Sequence, residues 1–292
     1  MTPVVVRKIE NQAEFKALFE FPWTLYKGDP NWVPPLLSMR RDLLDKQKNP
    51  AWAEYMEGDY FAAWRGDQMV GTIVAFINHR HNEFHKEHVG WFGLFEVYDD
   101  AEAATALLMT AAEWVKARGY DAIRGPQTFT THEDCGILVD GFTRPVLLMP
   151  YNYPYYARLV EGAGFHKAMD LYSFHLSRQG ALEHHTGDRL KRLTEAVMKR
   201  NKITVRKIDA KNLKVDFALF KELYNAAWDK NWGFVPMTPR ELDAMVESLG
   251  QFFDADKAFF GEVNGQPAGF VMGIPDFNQV LHKVYPRPGV PE

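Results

Sequence analysis

Between His88 and Pro126 the hydrophobic period changes twice, and this limits the fold more than any other feature of the sequence. HVGWFGLFEVYDD is an aromatic-rich apolar run ending at two acids, the pattern of a buried strand. In AEAATALLMTAAEWVKARG the residues Ala104, Leu107, Leu108, Ala111, Trp114 and Val115 recur every three or four positions, which predicts a helix with one apolar stripe. Asp100 can cap it, Glu102 lies in its first turn, Lys116 and Arg118 in its last, and Gly119 ends it. YDAIRGP returns as a short strand. Strand, crossover helix and strand imply parallel pairing, so the expected fold is α/β, a mixed, partly parallel sheet flanked by helices.

A second constraint is an internal repeat. Val6-Arg7-Lys8-Ile9 matches Val205-Arg206-Lys207-Ile208, Asn31-Trp32 matches Asn231-Trp232, Gly71 answers Gly269 and Asn78 answers Asn278, at offsets of 199, 200, 198 and 200. One spacing held over some seventy residues indicates duplication. Each copy reads as a strand, a helical stretch and a hairpin, turning at Arg65-Gly66-Asp67 or at Asn264-Gly265-Gln266. Trp32 and Trp232 are expected at equivalent core positions.

After the first hairpin, NHRHNEFHKEH reads as a polar connection in which His85 and His88 share a helix face. Its alternative, a zinc site of His79, His81, His85 and His88, lacks the His-Glu-x-x-His spacing, and no metal is expected. YPYYARLVEGAG predicts a helix with Pro154 in its first turn, Asn152 or Tyr153 as cap and Gly164 at its end, and FHKAMDLYSFHL predicts a strand. A linker helix should run from Asp188 to about Lys202. The expected domains are 1–177, a linker at 178–202, and 203–292 as the N-terminal half of a second unit, since QVLHKVYPRPGVPE cannot supply the remaining elements.

Charge and cysteine content exclude some classes. A net charge of -4 gives no electrostatic reason to expect nucleic acid as partner. No apolar run approaches about 18 residues, so no membrane span is expected. The single Cys135 excludes an intrachain disulfide and fits a reducing, cytoplasmic setting.

The succession of elements, with a last helix ending in Gly-Phe, resembles the GCN5-related N-acetyltransferase superfamily. GDPNWVPPL, the His-Asn run, GWFGLFE, RGP, GILVDGF and YYARLVEGAGF more narrowly resemble a bacterial group with two tandem acetyltransferase-like units. The resemblance implies transfer of an acyl group from acetyl- or another acyl-coenzyme A to a small-molecule or amino-group acceptor, and leaves room for a homo-oligomer. It places the coenzyme near Val97, Asp99, Glu102, Ala103, Ala104 and Asn152. The superfamily's glycine-rich signature aligns with Asp99, Glu102 and Ala104, of which Ala104 alone conforms; the acids also make a good helix cap. Its general-acid tyrosine aligns with Val160, which leaves Tyr155 and Tyr156, one turn earlier, as catalytic candidates or as core residues. Glu96, on the central strand, is the best-placed base. The alternative function is a non-catalytic scaffold with a degenerate coenzyme site. In His132-Glu133-Asp134-Cys135 the cysteine carries no signature of a nucleophile.

Overall fold

The structure is a computed structural model and describes residues 2–177, 179–180, 186–209, 211–250 and 252–291. Two compact units emerge, one of Met1–Ala168, Trp232–Val235 and Asp276–Glu292, the other of Met169–Asn231 and Pro236–Pro275.

The first unit is a five-stranded sheet in sequence order: β1 (Val4–Lys8), β2 (Met56–Arg65), β3 (Gln68–Asn78), β4 (Val89–Val97) and β5 (Ala122–Arg124). The first three pairings are antiparallel, and β4 and β5 run parallel. Helix α1 (Gln12–Leu25), α2 (Leu37–Leu44) and α3 (Pro50–Glu54) precede β2, and α4 (His79–His85) joins β3 to β4. The predicted crossover helix is α5 (Ala101–Lys116), capped by Asp100 Oδ1 on the Ala103 amide at 3.1 Å. Its stripe of Ala103, Ala104, Leu107, Leu108 and Ala111 is fully buried against Phe92, Phe95 and Val97 of β4. Leu18, Leu44 and Trp52 cover the opposite face through Trp91 and Phe76. Mixed α/β architecture with helices on both faces is therefore the observed fold.

β4 and the chain after β5 approach closely. A Cβ on Gly93 would meet the Gln127 carbonyl oxygen at 2.0 Å, so this position is open to glycine alone. The Gln127 amide bonds the Phe92 carbonyl at 2.9 Å, and the pairing of β4 with β5 covers Val89–Trp91, so among the described residues the C-terminal half of β4 has no strand on that side. The next helix is α6 (Tyr156–Gly162). It starts two residues later than Pro154, and Asn152, instead of capping it, pins the Leu138 backbone through both its amide atoms.

In the second unit α7 (Thr186–Asn201) precedes β6 (Ile203–Lys207), α8 (Leu213–Trp228), α9 (Pro239–Gly250) and the hairpin of β7 (Ala258–Val263) and β8 (Gln266–Met272). Its three strands are antiparallel, and the turn residues Asn264 and Gly265 both have positive φ. Arg206 bonds both carboxylate oxygens of buried Asp216 at 2.8 and 2.7 Å and Glu262 at 3.0 Å. The cavity lined by Phe217, Phe220, Val246 and Phe270 offers no charged group. Helix α10 (Asn278–Val284) belongs to the first unit, where Trp23 donates to the Pro286 carbonyl at 2.7 Å.

Three local expectations are corrected. FHKAMDLYSFHL forms no strand: no strand lies alongside to pair with it among the described residues, and Tyr172, Phe174 and Leu176 are exposed. His88 lies beyond α4, which stops at His85 because Lys86 turns left-handed with φ 55°. Trp232 is not a counterpart of Trp32. Trp32 is buried and stacks on Tyr26, whereas Trp232 is 43% exposed beneath the Arg124 guanidinium.

Candidate functional site

A bulge in β4 decides where Glu96 points. Thr72 opposes Glu96 and Val74 opposes Gly93, so Ile73 alone faces both Leu94 and Phe95. Leu94 takes φ 46°, and its carbonyl accepts the Thr72 hydroxyl at 3.0 Å. Before the bulge Phe92 packs with α5; after it, Phe95 and Val97 do. In a regular strand Glu96 would share the face of Phe92. The extra residue reverses the alternation and turns Glu96 away from α5, toward the end of α1.

There Glu96 meets two tyrosines. Oε2 accepts the hydroxyls of Tyr26, which ends α1, and of Tyr156, the first residue of α6, each at 2.8 Å. Oε1 takes no partner among the described residues. The Val97 amide donates to the Tyr156 oxygen at 3.2 Å and the Val97 carbonyl accepts the Tyr155 hydroxyl at 2.8 Å, so these side chains occupy the open edge of β4. Burial raises the Glu96 pKa, while the two hydroxyls and the Arg40 charge act in the opposite direction. Tyr26 and Tyr156 are held well above the ordinary tyrosine value, first by burial and then by the adjacent carboxylate. Both therefore stay protonated as donors.

Arg40 and Asp134 act on this carboxylate through their charge. Arg40 Nε donates to the Phe19 carbonyl at 3.0 Å, and its guanidinium lies over the Phe19 and Trp23 rings. Burial lowers its pKa to about 10, with Glu96 and Asp134 opposing the shift, so it remains charged at neutral pH. Burial raises the Asp134 pKa against the pull of Arg40. By accessible surface Glu96 and Arg40 are half-buried and Asp134 is exposed. No ion pair within 4.0 Å joins the guanidinium to either carboxylate. Sequence reasoning missed Arg40 and Tyr26 altogether and singled out the run His132-Glu133-Asp134-Cys135 after the fifth strand without a role for Asp134; burial raises the pKa of its cysteine.

The start of α5 is occupied by its own side chains. Arg65 bridges Asp100 and Glu102, each at 2.8 Å; Glu102 also accepts the Val4 amide, and Asp99 pairs with Arg158. The Ala103 amide is taken by Asp100, and Ala103 and Ala104 contribute buried core. Three carboxylates against two guanidiniums oppose a diphosphate, so this turn does not fit that group in the way the resemblance implies. The histidines of the run take separate partners, His81 bonding Glu87 at 3.0 Å, His85 the Phe234 carbonyl at 2.8 Å and His88 Asp121 at 3.0 Å, while the His81 and His85 rings stay 4.4 Å apart.

Comparison with known proteins supplies the family. The chain is 33% identical over 278 residues to the protein YghO of Escherichia coli (strain K12), a match covering 95% of this chain and 70% of YghO. The chain belongs to the YghO family. A further relative, 32% identical over 276 residues with 94% of this chain and 70% of its own length covered, is the bacterial ceramide synthase of Caulobacter vibrioides (strain NA1000 / CB15N). No protein-family model matches. Among solved structures, an aminoglycoside acetyltransferase from an uncultured soil metagenomic sample, in complex with sisomicin, has TM-score 0.35 and 8% identity over 60% of this chain and 97% of its own. A transcriptional regulator from Bacillus halodurans C-125 has TM-score 0.30 and 13% identity over 59% of this chain and 99% of its own. Scores this low carry nothing about chemistry. Among the described residues, no helix of this YghO relative is long and apolar enough to cross a membrane.

Proposed function

We propose that the chain is an N-acyltransferase unit that moves an acyl group from an activated donor to an amine, with Glu96 as general base. The observation that carries this reading is a half-buried carboxylate fixed through Oε2 by Tyr26 and Tyr156 while Oε1 takes no partner among the described residues. In the step, the amine nitrogen bonds to the acyl carbon, its proton passes to Glu96 Oε1, and the bond from the acyl carbon to the leaving group breaks. The raised pKa of Glu96 makes it a stronger base than an ordinary carboxylate. Tyr156 positions the base, and Tyr155 holds the strand edge beside it. A relative that is a ceramide synthase supports the same chemistry, because a ceramide is an amide.

Acyl-coenzyme A is the donor that the resemblance implies, with Val97, Asp99, Glu102, Ala103, Ala104 and Asn152 beside it. The acids at the start of α5 do not fit its diphosphate, and no step is assigned to that group here. The same acids favour a second reading, a scaffold of acyltransferase fold without a coenzyme site. We also propose that residues 203–292 derive from a second, related unit by duplication, although Trp232–Val235 and Asp276–Glu292 belong to the first compact unit.

Thermal unfolding with and without acetyl-coenzyme A separates the two readings, followed by mass spectrometry of amines incubated with both. Ligand at a hundred times its dissociation constant adds about 2.7 kcal/mol of stability. A rise in Tm together with an acylated amine supports the enzyme. Neither signal at millimolar donor, nor with longer acyl chains, favours the scaffold.

A further inference from the structure

We infer that α7 docks the chain on an anionic lipid surface, lying along it without crossing it, a role independent of the acyltransfer reading. From 187 to 201 every residue of this helix is exposed except half-buried Met198. Leu190, Leu193 and Val197 are 54%, 59% and 41% exposed, so the described residues leave them largely uncovered. At about 100° per residue they fall within about 60° of arc, one apolar stripe along a helix about 24 Å long. A helix of 16 residues that packs on nothing is marginal in water, and burial of that stripe would stabilise it.

Charge identifies what covers the stripe. Arg189, Lys191, Arg192, Lys199 and Arg200 stand against Asp188 and Glu195, so the five cations and two anions give the helix a net charge of +3. The whole chain carries -4, which leaves -7 on the remainder and makes this helix the reverse of the rest of the chain. None of the five cations forms an ion pair within 4.0 Å among the described residues. Arg200 and Arg189 fall about 20° and 40° around the helix from Leu193, directly beside the stripe. An anionic bilayer matches this arrangement: the leucines and valine enter the acyl boundary while the neighbouring guanidiniums remain at the level of the lipid phosphates. A protein groove matches it less well, because the helix carries no Trp, Tyr or Phe to anchor there. A second α7 would set +3 against +3.

The test is sedimentation of the full chain, in low salt, with vesicles of phosphatidylcholine alone and of equal parts phosphatidylcholine and phosphatidylglycerol. We expect binding to the anionic vesicles to be at least about tenfold tighter than to the neutral ones, and to weaken as salt is added. Arg189→Gln with Arg200→Gln should weaken it about tenfold or more. Leu190→Asp with Leu193→Asp should abolish it. All four positions are exposed, so the Tm of each variant should stay at the wild-type value. Lys214→Gln with Lys230→Gln removes the same charge from exposed positions outside α7 and should leave binding unchanged. Equal binding to both kinds of vesicle, or binding to neither, overturns the proposal. So does binding that survives the two leucine substitutions, or a loss as large in the Lys214 and Lys230 variant, which would reduce it to overall charge. Concentration-dependent self-association that the leucine substitutions remove would assign the stripe to a second copy of the chain and overturn it as well.

Discussion

The hydroxyl of Tyr26 donates to Glu96 Oε2 at 2.8 Å, linking the end of α1 to the one stretch of β4 where strand alternation is reversed. Glu96→Gln keeps the shape of this contact and removes the base. Acyl transfer should fall about 10²–10⁴-fold. In the wild type, activity should climb with pH along a limb above the usual carboxylate range, because burial raises the Glu96 pKa. A raised folded-state pKa also means that stability declines as pH rises from the unfolded value through the folded one. Glu96→Gln should lack this decline, which pH-dependent denaturant melts would show.

Tyr156→Phe removes one donor from Glu96 and leaves the Val97 amide without its partner. The expected cost is about 1–3 kcal/mol of stability. The lost hydrogen bond was lowering the Glu96 pKa, so the ascending limb of the rate profile should move to higher pH. An unmoved limb would mean that Tyr156 does not tune the base.

Gly93→Ala places a methyl 2.0 Å from the Gln127 carbonyl oxygen, a backbone atom that cannot swing aside. The junction of β4 with the segment after β5 must shift. A loss of about 1–3 kcal/mol is expected in urea melts. Gly66→Ala, where a Cβ has open space but φ is positive, should cost about 1 kcal/mol from backbone strain alone.

In the second unit Asp216 is buried against Arg206, whose hydrogen bonds hold its carboxyl below the ordinary range. This stability is present above the unfolded Asp value and is lost as pH falls through the lower folded one. Asp216→Asn should lower stability at neutral pH by about 1–3 kcal/mol, since Arg206 keeps access to water and to Glu262, and should flatten the acid limb of the unfolding profile.

Local pattern alone determined the crossover helix with its Asp100 cap, the strands on either side of it, and both hairpin turns. Each depends on side-chain periodicity or turn chemistry that acts within a few residues. Glu96 was legible as a carboxylate on the central strand, but its direction was not: a single bulged residue at Leu94 reverses which face it occupies, and the bulge leaves no trace in the apolar pattern of GWFGLFE. The strand expected at FHKAMDLYSFHL has the right alternation and no partner, because pairing is a tertiary property. Tyr26, Arg40, Asp134 and Tyr156 come from α1, α2, the segment after β5 and α6. Only tertiary packing around the sheet brings them to bear on one carboxylate, since the burial, hydrogen bonds and charges that set its pKa come from separate stretches of chain.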